Sequence, residues 1–150
     1  MNLSCSDCEN LKCFVLSLLT LKQQTEANNS KKILSFQKGK TLFKKGNTPK
    51  GIYILLEGSL EAILDKKTRF KISNGEITGF ASVLFEEKYN YSVRVLNKSY
   101  LCFFEKTYFI DLFLKNKAFA DKFVVYIIKN NFDKTINKKI KNYGKAKSNN

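Results

Sequence analysis

A chain of 150 residues, 43% hydrophobic and 13% aromatic, has the length of one domain and enough apolar material to bury a core, which argues against disorder. The formal charge of +14 is carried by lysine, since only Arg69 and Arg94 are arginines; it favours polyanions in general over bidentate base or phosphate readout. No stretch reaches the roughly 20 apolar residues of a membrane span, and with no histidine, no serine nucleophile elbow and no phosphate-binding loop the chain does not read as an enzyme.

The chain opens with Cys5, Cys8 and Cys13, spaced C-x2-C-x4-C. Thiolates this close repel one another unless a metal or cluster neutralises them. The plainer alternative is surface thiols, or buried cysteines acting as small hydrophobes. Zinc and an iron–sulfur cluster both suit the spacing, which does not separate them. The apolar run over 13–21 lacks a basic segment before it and a small-residue cleavage site after it. A cytoplasmic protein with reduced thiols is therefore expected. Phe14, Val15, Leu16, Leu18, Leu19 and Leu21 predict an N-terminal helix. Residues 23–32 are polar, with Asn28-Asn29-Ser30 as the break before the first strand.

Strands are predicted over 33–36, 41–43, 52–56, 59–64 and 69–73, with two or three more between Glu76 and Glu105. Gly39, Gly46, Gly51 and Gly58 form the corners, and Pro49 sits in a turn where the loss of an N–H harms no sheet. Close runs broken by such turns read as an antiparallel roll or barrel. The ordered set over 39–64, Gly-x-x-Leu-Phe-x-x-Gly, then an apolar strand, then Glu-Gly, resembles the effector-sensing β-roll of the Crp/Fnr regulators. These belong to the cyclic-nucleotide-binding-domain superfamily. The implied fold is mainly β with helices: a double-stranded β-helix, or jelly-roll-like β-roll, with an N-terminal helix and a long C-terminal dimerisation helix. The implied organisation is a cysteine-containing segment over 1–32, the roll over 33–105, helices over 106–142 and a hinge or tail over 143–150.

Residues 75–80, GEITGF, resemble the family segment that enters the phosphate-binding cassette. Nucleotide-binding members carry a ribose-binding glutamate after the second glycine and, later, an arginine for the cyclic phosphate. Here Phe80 follows Gly79, and Tyr91 precedes Ser92. Phe accepts no ribose hydrogen bond, and a buried phosphate without a cation lacks its main partner. Arg94 lies on the strand face of Ser92 but not at the family position. The effector pocket expected at Gly79, Phe80, Tyr91, Ser92 and Arg94 is thus predicted not to take a cyclic nucleotide.

Residues 99–105 read as the closing strand, with Cys102 inside it. FNR-type oxygen sensors hold a [4Fe–4S] cluster on cysteines ahead of the roll plus one in this late strand. By that resemblance Cys5, Cys8, Cys13 and Cys102 are the ligands, although the second spacing is one residue shorter than in the best-known member. Zinc is the alternative metal.

Thr107 is predicted to cap a short helix over 108–114. From Ala118 onward an apolar stripe runs through Phe119, Phe123, Val124, Ile127, Ile128, Phe132, Ile136 and Ile140 at helical spacing. The resemblance implies a homodimer through Phe123, Ile127, Ile128, Phe132 and Ile136. Residues 142–150 look like the hinge into the family's winged helix-turn-helix domain, which is not in this sequence. DNA is therefore a partner only if that domain is supplied. The leading expectation is the sensory and dimerisation part of a Crp/Fnr-type regulator responding to oxygen or redox state. The alternative is a roll that binds a small effector other than cyclic AMP and whose cysteines are structural or hold zinc.

Overall fold

The computed structural model describes residues 18–130. Cys5, Cys8, Cys13, Phe132 and Ile136 lie outside the described residues, and Ile127 and Ile128 are described only as parts of a helix. In chain order the elements are α1 (Leu21–Ser30), β1 (Lys32–Phe36), β2 (Thr41–Phe43), β3 (Gly51–Ile63), β4 (Arg69–Ile72) and β5 (Ile77–Thr78). They are followed by α2 (Phe80–Leu84), β6 (Ser92–Glu105), α3 (Lys106–Lys115) and α4 (Lys117–Asn130). The expectation of a mainly β roll flanked by helices holds. No helix among the described residues is long and apolar enough to cross a membrane.

The spine is the antiparallel pair β3 and β6, with Tyr53 opposite Phe103 and Leu60 opposite Val95. The sheet runs β1-β6-β3-β4, with β2 added on β6 and β5 on β3. Because successive side chains on a strand point to opposite faces, the spine feeds two cores. Tyr53, Leu55, Leu101 and Phe103 fill the interior of the roll. Ile52, Ile54, Cys102 and Phe104 form the outer face, beneath Ala27 of α1, Phe109 of α3 and Phe119 and Phe123 of α4. A strand buried on both faces reads as a near-continuous apolar run, and residues 52–56, IYILL, are such a run.

The predicted strands over 52–56 and 59–64 are one element, β3, which passes straight through Gly58. Gly58 has φ +128°, and a Cβ there would strike Ser99. Ser99 is fully buried; its Oγ accepts from the Ser59 N–H at 3.1 Å and donates to the Asn97 carbonyl at 2.7 Å. The β3–β6 register shifts around this point without breaking the pairing. A bulge thus stands where a corner was expected.

Three helical expectations change as well. The polar segment over 21–30, expected to break at Asn28-Asn29-Ser30, is itself helical, while the apolar helix expected from Phe14 begins outside the described residues. Thr20 and Gln23 form a capping box, in which Thr20 Oγ1 accepts from the Gln23 N–H at 3.2 Å and Gln23 Oε1 accepts from the Thr20 N–H at 2.9 Å. Thr107 lies inside α3, whose N-cap is Glu105 and has no side-chain capping bond. Phe123 is 1% exposed and meets Phe80, Phe109, Phe113 and Phe119 at ring-centroid distances of 5.4 to 5.8 Å. It is therefore a core residue of its own protomer rather than part of a dimer face, while Val124 and Val125 are the exposed apolar residues beside it.

Candidate functional site

The expected effector pocket lies where β5 hands over to α2 and the chain returns into β6. Gly79 makes this corner as the N-cap of α2, at φ +89°. A side chain there would be strained by φ and crowded by the Gly51 carbonyl at 3.3 Å from the Cβ. Such a corner presents a backbone N–H, and here the Gly79 N–H is taken by Tyr91. The Tyr91 hydroxyl accepts it at 3.1 Å and shares a hydrogen bond with Thr78 Oγ1 at 2.7 Å. Tyr91 and Thr78 are buried to 3% and 2% exposure.

Tyr91 is one ring of an aromatic fill. Phe43 stacks on Tyr89 at 3.8 Å between centroids and meets Tyr91 edge-on at 5.5 Å. Tyr53 adds contacts to Phe43 and Phe103. The Tyr89 hydroxyl donates to the Gly51 carbonyl at 3.2 Å. The loop behind it is clasped to the β2–β3 turn, with the Gly46 N–H on the Tyr89 carbonyl at 2.7 Å and the Tyr89 N–H on the Asn47 carbonyl at 3.0 Å. Burial pushes the phenols of both Tyr53 and Tyr89 above their ordinary range, and for Tyr89 the neighbouring Tyr53 adds to the effect. The hydroxyls at the centre of the site are thus neutral hydrogen-bonding groups at ordinary pH.

The other expected pocket residues are not brought together with Tyr91. Phe80 turns into the helix-covered core, where its ring meets Phe123 at 5.4 Å. Ser92 is half-buried, and its Oγ accepts from the Lys45 N–H at 2.9 Å. Arg94 is exposed, opposite Thr41 and Glu61 across the strands, so it supplies no charge to the interior. The residues that sequence reasoning missed are Tyr89, Phe43 and Tyr53. For Tyr89 the signal was the alternation Tyr89, Tyr91, Val93, Val95, all four of which enter the inner cluster of the roll.

Cys102 lies on the outer face of β6, between Ile33 of β1 and Ile54 of β3, and is 4% exposed. It belongs to the same buried cluster as Leu19, and Leu18 packs against that cluster. Among the described residues no three His, Cys, Asp or Glu side chains gather as a metal site.

Residues 33–116 match the model of the cyclic nucleotide-binding domain, more than half of the chain, and the chain belongs to that family. Domains of this family are typically regulatory rather than catalytic. No curated protein matches the sequence. Among solved structures, the fold is similar to a Ruegeria pomeroyi protein described as cyclic nucleotide binding (TM-score 0.66, 15% identity, 81% of this chain and 60% of that one). It is also similar to a protein of the same description from Geobacter metallireducens (TM-score 0.66, 21% identity, 75% and 86%). A third relative is the sensor domain of the transcriptional regulator DNR from Pseudomonas aeruginosa (TM-score 0.68, 15% identity, 81% and 90%). The chain thus spans most of the last two and about three fifths of the first.

Proposed function

We propose that this chain is the sensing and pairing part of a Crp/Fnr-type regulator whose signal is oxygen or redox state rather than a cyclic nucleotide. The observation that carries the exclusion is the Tyr91 hydroxyl on the Gly79 N–H, inside an interior filled by aromatic rings. A cyclic phosphate brought there would displace a satisfied buried hydroxyl and meet no cation, which costs more than it returns. The residues present do not fit the nucleotide. Calorimetric titration with cyclic AMP and cyclic GMP is expected to give no saturable heat; micromolar binding of either would overturn this part.

The proposed signal carrier is a [4Fe–4S] cluster on Cys5, Cys8, Cys13 and Cys102. Cys102 suits that role, because its thiol lies in an apolar, water-poor layer that also takes up Leu18 and Leu19. Cys13 stands five residues before Leu18, a reach of at most about 18 Å. Bound there, the cluster supplies iron–thiolate bonds that oxidants break. The chain's own part is to hold Cys102 between Ile33 and Ile54 and to keep water from it with Ile52 and Phe104. Protein purified without air should carry iron and sulfide near four per chain, with a visible band that bleaches in air. Cys102→Ser should lose the band, and full iron in that variant would sink the assignment. One zinc per chain in place of iron would make the cysteines a structural clasp.

Pairing is proposed through Ile127, Ile128, Phe132 and Ile136, without Phe123. DNA is reached only through a further helix-turn-helix domain. Sedimentation of Ile128→Asp and Phe132→Asp tests the interface, and a dimer that survives both changes excludes it.

A further inference from the structure

The sequence holds one Asn-Gly pair, Asn74-Gly75, and every other asparagine short of the last residue is followed by a residue with a side chain. The pair sits at the tip of the turn between β4 and β5. There the Ser73 carbonyl accepts from the Glu76 N–H at 3.1 Å, and Gly75 has φ +85°. Among the described non-glycine residues only Glu86 has a positive φ, so Asn74 and Gly75 are the central residues of a type II turn. Asn74 is exposed and Gly75 is buried. Both backbone groups of Leu55 close on this turn. Its carbonyl accepts the Gly75 N–H at 2.6 Å, and its N–H donates to the Glu76 carbonyl at 3.0 Å.

An asparagine followed by glycine carries its own modifying chemistry, because no Cβ screens the glycine nitrogen. The Gly75 nitrogen gives its proton to hydroxide and attacks the side-chain amide carbon of Asn74. A C–N bond forms, the bond to the side-chain nitrogen breaks, and that nitrogen leaves as ammonia. One water then opens the five-membered imide. Opening at the side-chain carbonyl gives aspartate, and opening at the main-chain carbonyl gives isoaspartate, in which the chain runs through the former side chain. Two features of the fold oppose the first step. The Gly75 N–H is committed to the Leu55 carbonyl. A type II turn, with ψ of about +120° at its first central residue, also swings the Gly75 nitrogen away from the Asn74 side chain.

We propose that Asn74 is a guarded self-modification site: the folded turn withholds the Gly75 nitrogen, and the reaction runs only while the turn is parted from β3. Its rate in the folded protein is the unfolded rate multiplied by the fraction of time the turn is open. The product is a permanent mark of that opening. Isoaspartate lengthens the main chain by a methylene between residues 74 and 75, so the Gly75 N–H and the Glu76 carbonyl no longer meet Leu55 in register. β5 follows directly and carries Thr78, the partner of Tyr91. A marked chain therefore holds the Gly79 corner less firmly than an unmarked one. Neither the cluster nor an effector takes part.

The test holds the full chain, folded and in guanidinium chloride, in the same mildly alkaline buffer. The peptide containing residue 74 is followed by mass spectrometry, and isoaspartate is counted by enzymatic methylation. Asn74 should convert at least about tenfold more slowly in the folded chain, the suppression that an opening cost of only about 1.4 kcal/mol brings. In the unfolded chain it should convert ahead of Asn29 and Asn47, which precede residues with a side chain. The isoaspartate form, separated and refolded, should exchange its Gly75 and Gly79 amide protons faster than the unmodified protein. Equal rates in the folded and unfolded chains overturn the proposal. So does an unfolded chain in which Asn74 is no faster than Asn29, or an isoaspartate form whose Gly75 and Gly79 amides are as protected as before.

Discussion

At Tyr91 a phenol stands where the family resemblance places a cation for a cyclic phosphate. It satisfies a backbone N–H at a left-handed corner and a buried threonine hydroxyl together. Tyr91→Phe keeps the ring but leaves the Gly79 N–H and the Thr78 hydroxyl without that partner in a dry interior. The expected loss is about 1–3 kcal/mol, read from the urea midpoint at constant slope, and a loss near zero would mean that both groups find other partners. Gly58→Ala forces an L side chain into φ +128° against Ser99. Strain of this kind costs about 1–3 kcal/mol before the collision is counted, and the same denaturation experiment measures it. Of these residues, Gly79 was legible from sequence through the resemblance of residues 75–80 to the family segment, where a glycine reads as a roll corner; the short helix after it was not foreseen. Ser99 was not. Nothing beside it in sequence reveals that it lies under Gly58, and the fit exists only once β3 and β6 are paired.

Strand positions were readable from the punctuation between them. β1, β2 and β4 fall within a residue or so of where turn signals put them, because short strands in a roll are bounded by the residues that bend the chain. The fusion of two predicted strands into β3 was hidden, since a glycine with positive φ serves equally as a corner or as a bulge in a continuous strand. The helices taught a different lesson. The apolar run drew attention away from the Thr-x-x-Gln signature at Thr20 that starts α1. Thr20→Ala should cost about 1 kcal/mol and speed amide exchange across residues 21–30; unchanged exchange there would show that packing of Ala27 alone sets the helix. In α4, helical spacing put Phe123 on the stripe but could not say whether its own core or a second protomer covers it. Phe123→Ala should cost about 3–5 kcal/mol, whereas Val125→Asp, on the exposed side, should stay within about 0.5 kcal/mol. Equal effects on the isolated domain would contradict the burial described above.

For the whole molecule, charge and ionisation set the response to solvent. The ion pairs among the described residues span 3.3 to 3.5 Å; Lys32–Glu105 and Lys115–Asp111 are exposed and Arg69–Glu61 is partly covered at the glutamate. Such pairs contribute little, so a formal charge of +14 acts mainly as self-repulsion. Added salt should screen it and raise the melting temperature; a fall between low and moderate salt would show that the surface pairs dominate instead. Alkaline behaviour follows from Tyr53 and Tyr89. Their folded pKa values lie above the ordinary 10.0, so above that pH the unfolded chain releases protons that the folded chain keeps. Their contribution is therefore fully present below pH 10 and is lost as pH rises beyond it. Denaturation midpoints followed from pH 8 to 11 should fall at the upper end, with phenolate absorbance of these rings appearing only as the protein unfolds.

The clasped and ring-filled interior has a consequence for the protein's economy in a cell. A sensor that folds around its metabolite is stabilised in proportion to the logarithm of that metabolite's concentration, so its abundance follows supply. This roll carries its filling in its own sequence. Its melting curve should be the same in a dialysed sample and in one saturated with cyclic AMP, and swings in the cyclic nucleotide pool should leave its steady-state level untouched.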